Sequence, residues 1–245
     1  MALTFIDLTN RTLRRFGGKE AAAASFDTST DPEIRLAKDA VNDAILDINM
    51  YEFEWAFNVT ATTLTMVAGT QRYTLPSDTK DVDMDTIMLN QSDALSVNQR
   101  WLPQIDYDHW VKNFSQRDGD ATSSDYDTPS HVFRYPNNNL GFTKIPDQAY
   151  TVSYTRYVDP TTLSVSTDTT RIPDRYGQVI VNGACYYLNA KRGNSDQASM
   201  FRQEFAKGVS RMRTIETNDQ YVRVKDRRMK RRRGSAAYIG NVTLT

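Results

Sequence analysis

Two histidines, His109 and His131, and one cysteine, Cys185, supply every imidazole and thiol in this chain of 245 residues. A Ser/His/acid or Cys/His site would have to use one of the two histidines. Neither stands beside a glycine-rich elbow or a nucleophile in a recognisable pattern. Cys185 lies between Ala184 and the pair Tyr186-Tyr187, on the apolar side of a predicted helix, where a buried and unreactive thiol is expected. A lone cysteine rules out an internal disulfide and any multi-cysteine metal site, and suits assembly in a reducing cytoplasm. The histidines also lack the helical spacing of a zinc pair. Asp83 with Asp85, or Glu52 with Glu54, could hold a hard cation or act as acid and base. Side chains two apart share a face only in an extended segment, however, so solvated surface acids are the expectation. No phosphate loop or dinucleotide-binding glycine pattern occurs. The residues therefore predict no catalytic site, no metal and no cofactor, and hence a protein that is not an enzyme.

Charge carries a sharper signal. The chain has 30 basic and 30 acidic residues, and its formal net charge of zero hides a strong asymmetry. Arg223, Lys225, Arg227, Arg228, Lys230, Arg231, Arg232 and Arg233 fall within eleven residues that hold a single acid, Asp226, leaving 22 basic against 29 acidic residues elsewhere. Such a tract cannot bury a core of its own and calls for a partner: nucleic acid, an acidic protein surface or a membrane surface. Tyr221 precedes it, and Tyr238, Ile239, Val242 and Leu244 follow. A tail made only to hold phosphate would not require that apolar ending. Val242 and Leu244 alternate as in a strand added to a partner's sheet edge. Residues 218–245 thus read as an extended basic arm, steered by charge and anchored by apolar residues on protein. Nucleic-acid binding through the same tract is the alternative.

The elements that would carry this arm can be read from periodicity. Thr4 and Asp7 form a capping-box pattern, and Ile6, Leu13 and Phe16 recur at helical spacing until Gly17-Gly18. Asp31-Pro32 is a helix start, followed by the stripe Ile34, Ala37, Val41, Ala44, Ile45 and Ile48. Asp39, Asp43 and Asp47 repeat at i,i+4 on another face and repel one another mildly. They read as a solvated face softened by Arg35 and Lys38, or as a contact with a cationic neighbouring subunit. Strand-like alternation then takes over: Phe57, Val59 and Ala61; Tyr73 and Leu75; Tyr150, Val152 and Tyr154. Turn residues separate these runs, among them Asn137-Asn138-Asn139. One short helix is expected over Asp106 to Phe114. Helical spacing returns after Ile172-Pro173-Asp174, stops at Gly193, and resumes with Ala198, Phe201, Phe205, Val209, Met212 and Ile215. Gly183 and Ala184 would let another helix approach closely. The fold class predicted is α+β: a helical bundle from residues 1–53 and 172–217 (the latter a helix hairpin), an inserted β-rich domain at 54–171, and the extended arm. Met1 to Phe16 holds Asp7, Arg11, Arg14 and Arg15, which is not the pattern of a signal peptide or membrane span.

The order of these segments resembles the head-to-tail adaptor family of short-tailed phages, the group that includes the tail tubular protein A type. The resemblance is carried by the opening helix, Tyr51-Glu52-Phe53-Glu54-Trp55-Ala56-Phe57, Tyr73-Thr74-Leu75-Pro76-Ser77-Asp78, and Trp101-Leu102 with Asp106-Tyr107-Asp108-His109-Trp110. It continues through Leu140-Gly141-Phe142-Thr143-Lys144-Ile145-Pro146-Asp147, Tyr150-Thr151-Val152-Ser153-Tyr154 and the closing helix pair, covering roughly residues 1–217. The resemblance implies a virion protein of the phage neck, assembled in the host cytoplasm. It further implies a homo-oligomeric ring of twelve copies under the portal protein, with a tail nozzle or tube protein below. DNA would pass through its channel without sequence recognition, no membrane would be a partner, and the C-terminal segment would attach to the portal.

Overall fold

Helix starts and stops are where the sequence acts most directly on this backbone. In the computed structural model, which describes residues 3–52, 54–90, 101–113 and 126–236 with side chains through 216, α1 spans Phe5–Phe16. Thr4 Oγ1 accepts the Asp7 amide at 3.4 Å and Asp7 Oδ2 accepts the Thr4 amide at 3.1 Å, closing the capping box. Gly17, at φ 81°, ends the helix in the left-handed conformation a side chain would resist. A short α2 (Ala23–Phe26) follows, and then α3 (Pro32–Tyr51), whose N-cap Asp31 accepts the Glu33 amide at 2.9 Å.

The predicted stripe of α3 is the buried one: Ala37, Val41, Ala44, Ile45 and Ile48 are all in the core. Trp55, fully buried, donates its indole N–H to the Ile48 carbonyl at 2.7 Å and ties down the chain that leaves the helix. Helix α5 (Gly177–Lys191) packs against α1, α3 and α6 (Ser195–Ala236). Gly183 is the reason the helices come so close. A Cβ there would stand 2.8 Å from the Phe205 ring and 2.9 Å from Ala44 Cβ, so α5 meets α6 and α3 at one point.

Residues 160–171 belong with these helices. The unit formed by Met1–Phe57 and Pro160–Thr245 is distinct from that formed by Asn58–Asp159, whereas the strand-like pattern places the insert at 54–171. Asn42 explains the far boundary. Its side chain donates to the Leu163 carbonyl and accepts the Leu163 amide, each at 3.0 Å, and holds Leu163 in the helical core.

The second unit contains two three-stranded antiparallel sheets. Strands β1 (Val59–Thr65), β3 (Thr79–Leu89) and β6 (Thr151–Val158) form one, in the order β1-β6-β3. Strands β2 (Arg72–Thr74), β4 (His131–Tyr135) and β5 (Asn139–Thr143) form the other, in the order β2-β5-β4. The fold is α+β. Central β6 buries Val152, Tyr154, Arg156 and Val158 at every second position. Arg156 is kept there by Asp78, whose two oxygens accept at 2.6 and 3.3 Å, and by the hydroxyls of Thr79 and Thr62 at 2.9 and 3.1 Å. Asn137 and Asn138, both at positive φ, form the tight turn between β4 and β5. The short helix expected near Trp110 is α4 (Tyr107–Asn113), and its Trp110 ring stacks on Phe133 at 4.5 Å.

Candidate assembly interface

The basic tract is the strongest functional signal in the sequence, and α6 is the element that carries it. The first half of α6 is a packed helix: Ala198, Val209 and Met212 are buried, and Phe201 and Phe205 pack against the helical core. Gly208 lets α6 lie against Val179 of α5, where an added Cβ would come within 2.9 Å. Polar contacts fix the end of this half. Arg213 pairs with Glu52 at 2.8 Å, and Glu216 accepts from Arg175 at 2.6 Å and from the Tyr176 hydroxyl at 2.8 Å.

Beyond Glu216 the backbone remains helical as far as Ala236, where the sequence predicts an extended arm over 218–245. The cause lies in composition. No glycine falls between Gly208 and Gly234 and no proline follows Pro173, while Arg, Lys, Met and Gln are strong helix formers. Once the packed half has formed, each further residue extends an existing helix and avoids the cost of nucleation. Residues 217–236 add about 30 Å of helix at ~1.5 Å per residue. Tyr221, Arg223, Lys225, Arg227, Arg228, Lys230, Arg231, Arg232 and Arg233 all lie on this extension. Tyr238, Ile239, Val242 and Leu244 lie outside the described residues.

The three aspartates of α3 have separate fates. Asp39 is exposed, Asp43 pairs with Lys191 at 3.6 Å, and Asp47 accepts the Tyr187 hydroxyl. Burial raises the Tyr187 phenol pKa, and its hydrogen bond to Asp47 raises it further. The i,i+4 repulsion of the series is thus relieved from α5. A groove of about 440 Å³ lies beside it, lined by Asp39, Asn42, Asp43, Leu46, Lys191 and residues 160–162. Leu46, Met50 and Tyr51 are all more than half exposed on the same helix. Helical periodicity alone cannot single out this mixed acidic and apolar surface, because those three residues read as part of the apolar complement of α3.

The residues that could do chemistry are placed apart or engaged otherwise. Cys185 is fully buried, with its Sγ 4.0 Å from the Thr12 carbonyl, and burial pushes its thiol up to about 11. His109 is exposed on α4, and His131 Nδ1 lies 3.0 Å from Ser130 Oγ. Glu52 is the partner of Arg213. Among the described residues no group of three or more His, Cys, Asp or Glu side chains could hold a metal ion, and no helix is long and apolar enough to cross a membrane.

A packed helical body that continues one helix by more than five turns, with positive charge concentrated near its end, has the build of a protein that docks onto another. The chain belongs to the SU10 adaptor protein family, whose model matches residues 3–232. It is therefore a phage structural adaptor protein and a component of the virion, in keeping with the head-to-tail adaptor resemblance. The match extends through Arg232, so it takes in both units and almost all of the basic tract. A search of curated proteins finds no match.

Proposed function

We propose that this chain is the head-to-tail connector of its virion, a ring of twelve copies between the portal protein and the tail nozzle or tube. It is assembled in the host cytoplasm and leaves a channel through which DNA passes without sequence recognition. Residues 218–245 dock on the portal. The basic tract steers the approach, and Tyr238, Ile239, Val242 and Leu244 anchor the end. The observation that carries this reading is the continuous helix Ser195–Ala236, which is packed into the body at one end and carries eight cations on its extension. A helix projects a docking segment at lower entropic cost than a loose arm, because its backbone is ordered before binding.

Around the ring, the α3 surface with Asp39, Asp43 and Asp47 beside exposed Leu46 and Met50 is a contact for the adjacent subunit. Each such contact can be weak, since closure of a ring multiplies it. Removal of residues 218–245 tests the docking role. Portal binding should be lost while the melting temperature of the body is kept, and undiminished portal affinity would refute it. Nucleic-acid binding remains the alternative for the same tract. It would show as duplex binding whose logarithm falls with log salt at a slope approaching about −7 for eight phosphate contacts.

A further inference from the structure

Helix α6 outruns the body on which it packs. Arg192, just ahead of it, pairs with Glu33 at the start of α3, and Arg213 pairs with Glu52 at the end of α3, at 2.8 Å. The two helices therefore run in the same direction, and α6 passes the last turn of α3 near residue 213. Its 42 residues measure about 63 Å, against about 30 Å for the 20 residues of α3, at ~1.5 Å per residue. The basic tract lies on the part beyond. An unbroken helix cannot turn back, so the tract of one chain does not reach its own α3.

The outer face of α3 carries a definite order of residues. Asp39, Asp43, Leu46 and Met50 follow one another at spacings of four, three and four, which is one side of a helix: two acids, then two apolar residues. Leu46 is 51% and Met50 74% exposed, and the groove of about 440 Å³ runs beside the first three. Asp47, four beyond Asp43, adds a third acid. The chain itself meets their charge only in part. Lys191 stands 3.6 Å from Asp43 with both side chains more than 40% exposed, a pair that contributes little. The phenol of Tyr187 is neutral and leaves the charge of Asp47 in place. The cations of α3 itself, Arg35 and Lys38, lie ahead of this stretch, and Lys38 donates to the Phe26 carbonyl. In the basic tract, Arg223, Arg227 and Arg231 recur on helical backbone at the same spacing of four. Tyr221 and Val224 precede Arg227 and Arg231, so apolar residues lead and cations follow, the reverse of α3.

We infer that two free copies of this chain exchange their basic helices, each tract packing antiparallel on the Asp39 to Met50 face of the other copy. Antiparallel order sets Arg231 opposite Asp39, Arg227 opposite Asp43, Arg223 opposite Asp47 and Val224 opposite Leu46. Parallel order with the same charges matched would set Lys230 against Leu46 and Gly234 against Met50, a cation and a bare backbone against apolar surface. Because each extension projects past its own α3, the exchange is reciprocal about a two-fold axis and the contact is made twice. Adjacent subunits of a twelve-membered ring differ in direction by only about 30°, so an antiparallel exchange belongs to the pair of free chains and opens when the ring is built. The inference rests on the reading of the α3 surface as a contact between copies. It adds the element that fills that surface and a means of covering the cations until the portal is met.

Charge reversal in the full chain tests this by sedimentation at about 0.1 M salt, where the screening length is about 10 Å. Wild type should be a dimer. Asp39→Lys with Asp43→Lys should be monomeric at an unchanged melting temperature, and so should Arg227→Glu with Arg231→Glu. Mixing these two variants should restore dimers, because each tract then meets a surface of opposite charge. Crosslinking gives a readout closer to wild type. The single native thiol, Cys185, is buried, so Asp39→Cys with Arg231→Cys supplies the reactive pair. A mild oxidant should join two copies through it, and at least tenfold less through Asp39→Cys with Arg223→Cys, the pair a parallel arrangement would join. A monomeric wild type, reversed variants that dimerise as wild type does, a mixture that stays monomeric, or crosslinking that favours the Arg223→Cys pair would overturn the inference. If Asp39→Lys with Asp43→Lys still loses the ring on the portal in that case, the α3 contact between copies stands without the exchange. A ring and a dimer both indifferent to that variant would remove both.

Discussion

Replacing Gly183 by alanine should destabilise the helical unit, although alanine is the better helix former. In an open helix interior the exchange would gain about 1 kcal/mol from propensity. Here the new Cβ would lie 2.8 Å from the Phe205 ring and 2.9 Å from Ala44 Cβ, both well inside van der Waals contact. Phe205 can turn away, because its ring is only partly buried. Ala44 cannot, since its Cβ is fixed to the α3 backbone and the residue is fully buried. Overpacking of this kind costs about 1–3 kcal/mol, which exceeds the propensity gain and leaves a net loss of roughly 1 kcal/mol. Gly183→Leu should cost more, because more atoms must enter the same gap. The assay is urea unfolding followed by the far-UV helical signal, which reports chiefly on the helical unit, with the m-value compared to exclude a change in the unfolded state. A higher midpoint for Gly183→Ala would refute the claim that α3, α5 and α6 are held at contact distance by this glycine.

Asp78→Ala should destabilise the sheet unit by roughly 1–3 kcal/mol, since it leaves the Arg156 guanidinium nearly buried without its counter-charge, while half-exposure of Asp78 screens part of the effect. Arg156→Met should cost less, and chemical denaturation of both variants checks the order. The Asp7 carboxyl is held below its ordinary value of 3.8 by the Thr4 hydroxyl first and the Thr4 amide second. Its stabilising contribution is therefore present above that value and lost as pH falls through the lower folded pKa. The stability gap between wild type and Asp7→Asn, followed by pH-dependent melts, should close over that range. Thr4→Ala should cost about 1 kcal/mol at neutral pH in the same melts. With its thiol at about 11, Cys185 should react with a disulfide reagent near pH 8 on the order of two hundredfold more slowly than a free thiol, from thiolate fraction alone, and unfolding should abolish the protection.

Local chemistry was readable wherever one residue decides the backbone. Thr4 with Asp7, Asp31 with Pro32, Gly193 and the asparagines at 137–138 each name their own cap or turn, and all four occur as read. Strands were harder. β3 escapes periodicity because Lys80, Asp81, Asp83 and Asp85 sit among Val82, Met84 and Ile87, and β4 is too short for alternation to register. Leu163 lies in the helical core because its place depends on Asn42, 121 residues away, a contact no local pattern encodes. The helical continuation of α6 is hidden from periodicity for another reason. A dense cationic tract has no apolar stripe, and its helicity comes from propensity added to a helix already nucleated by Val209 and Met212. For the assembly surfaces, the charge asymmetry was legible at once.

The chain is proposed to add to a portal as a ring of copies. Electron micrographs of the purified protein mixed with its portal measure that directly. A closed ring stacked on the portal, with the C-terminal helices of its subunits entering the portal body, is the predicted image. Portal particles that stay bare at saturating concentrations of the chain would contradict it.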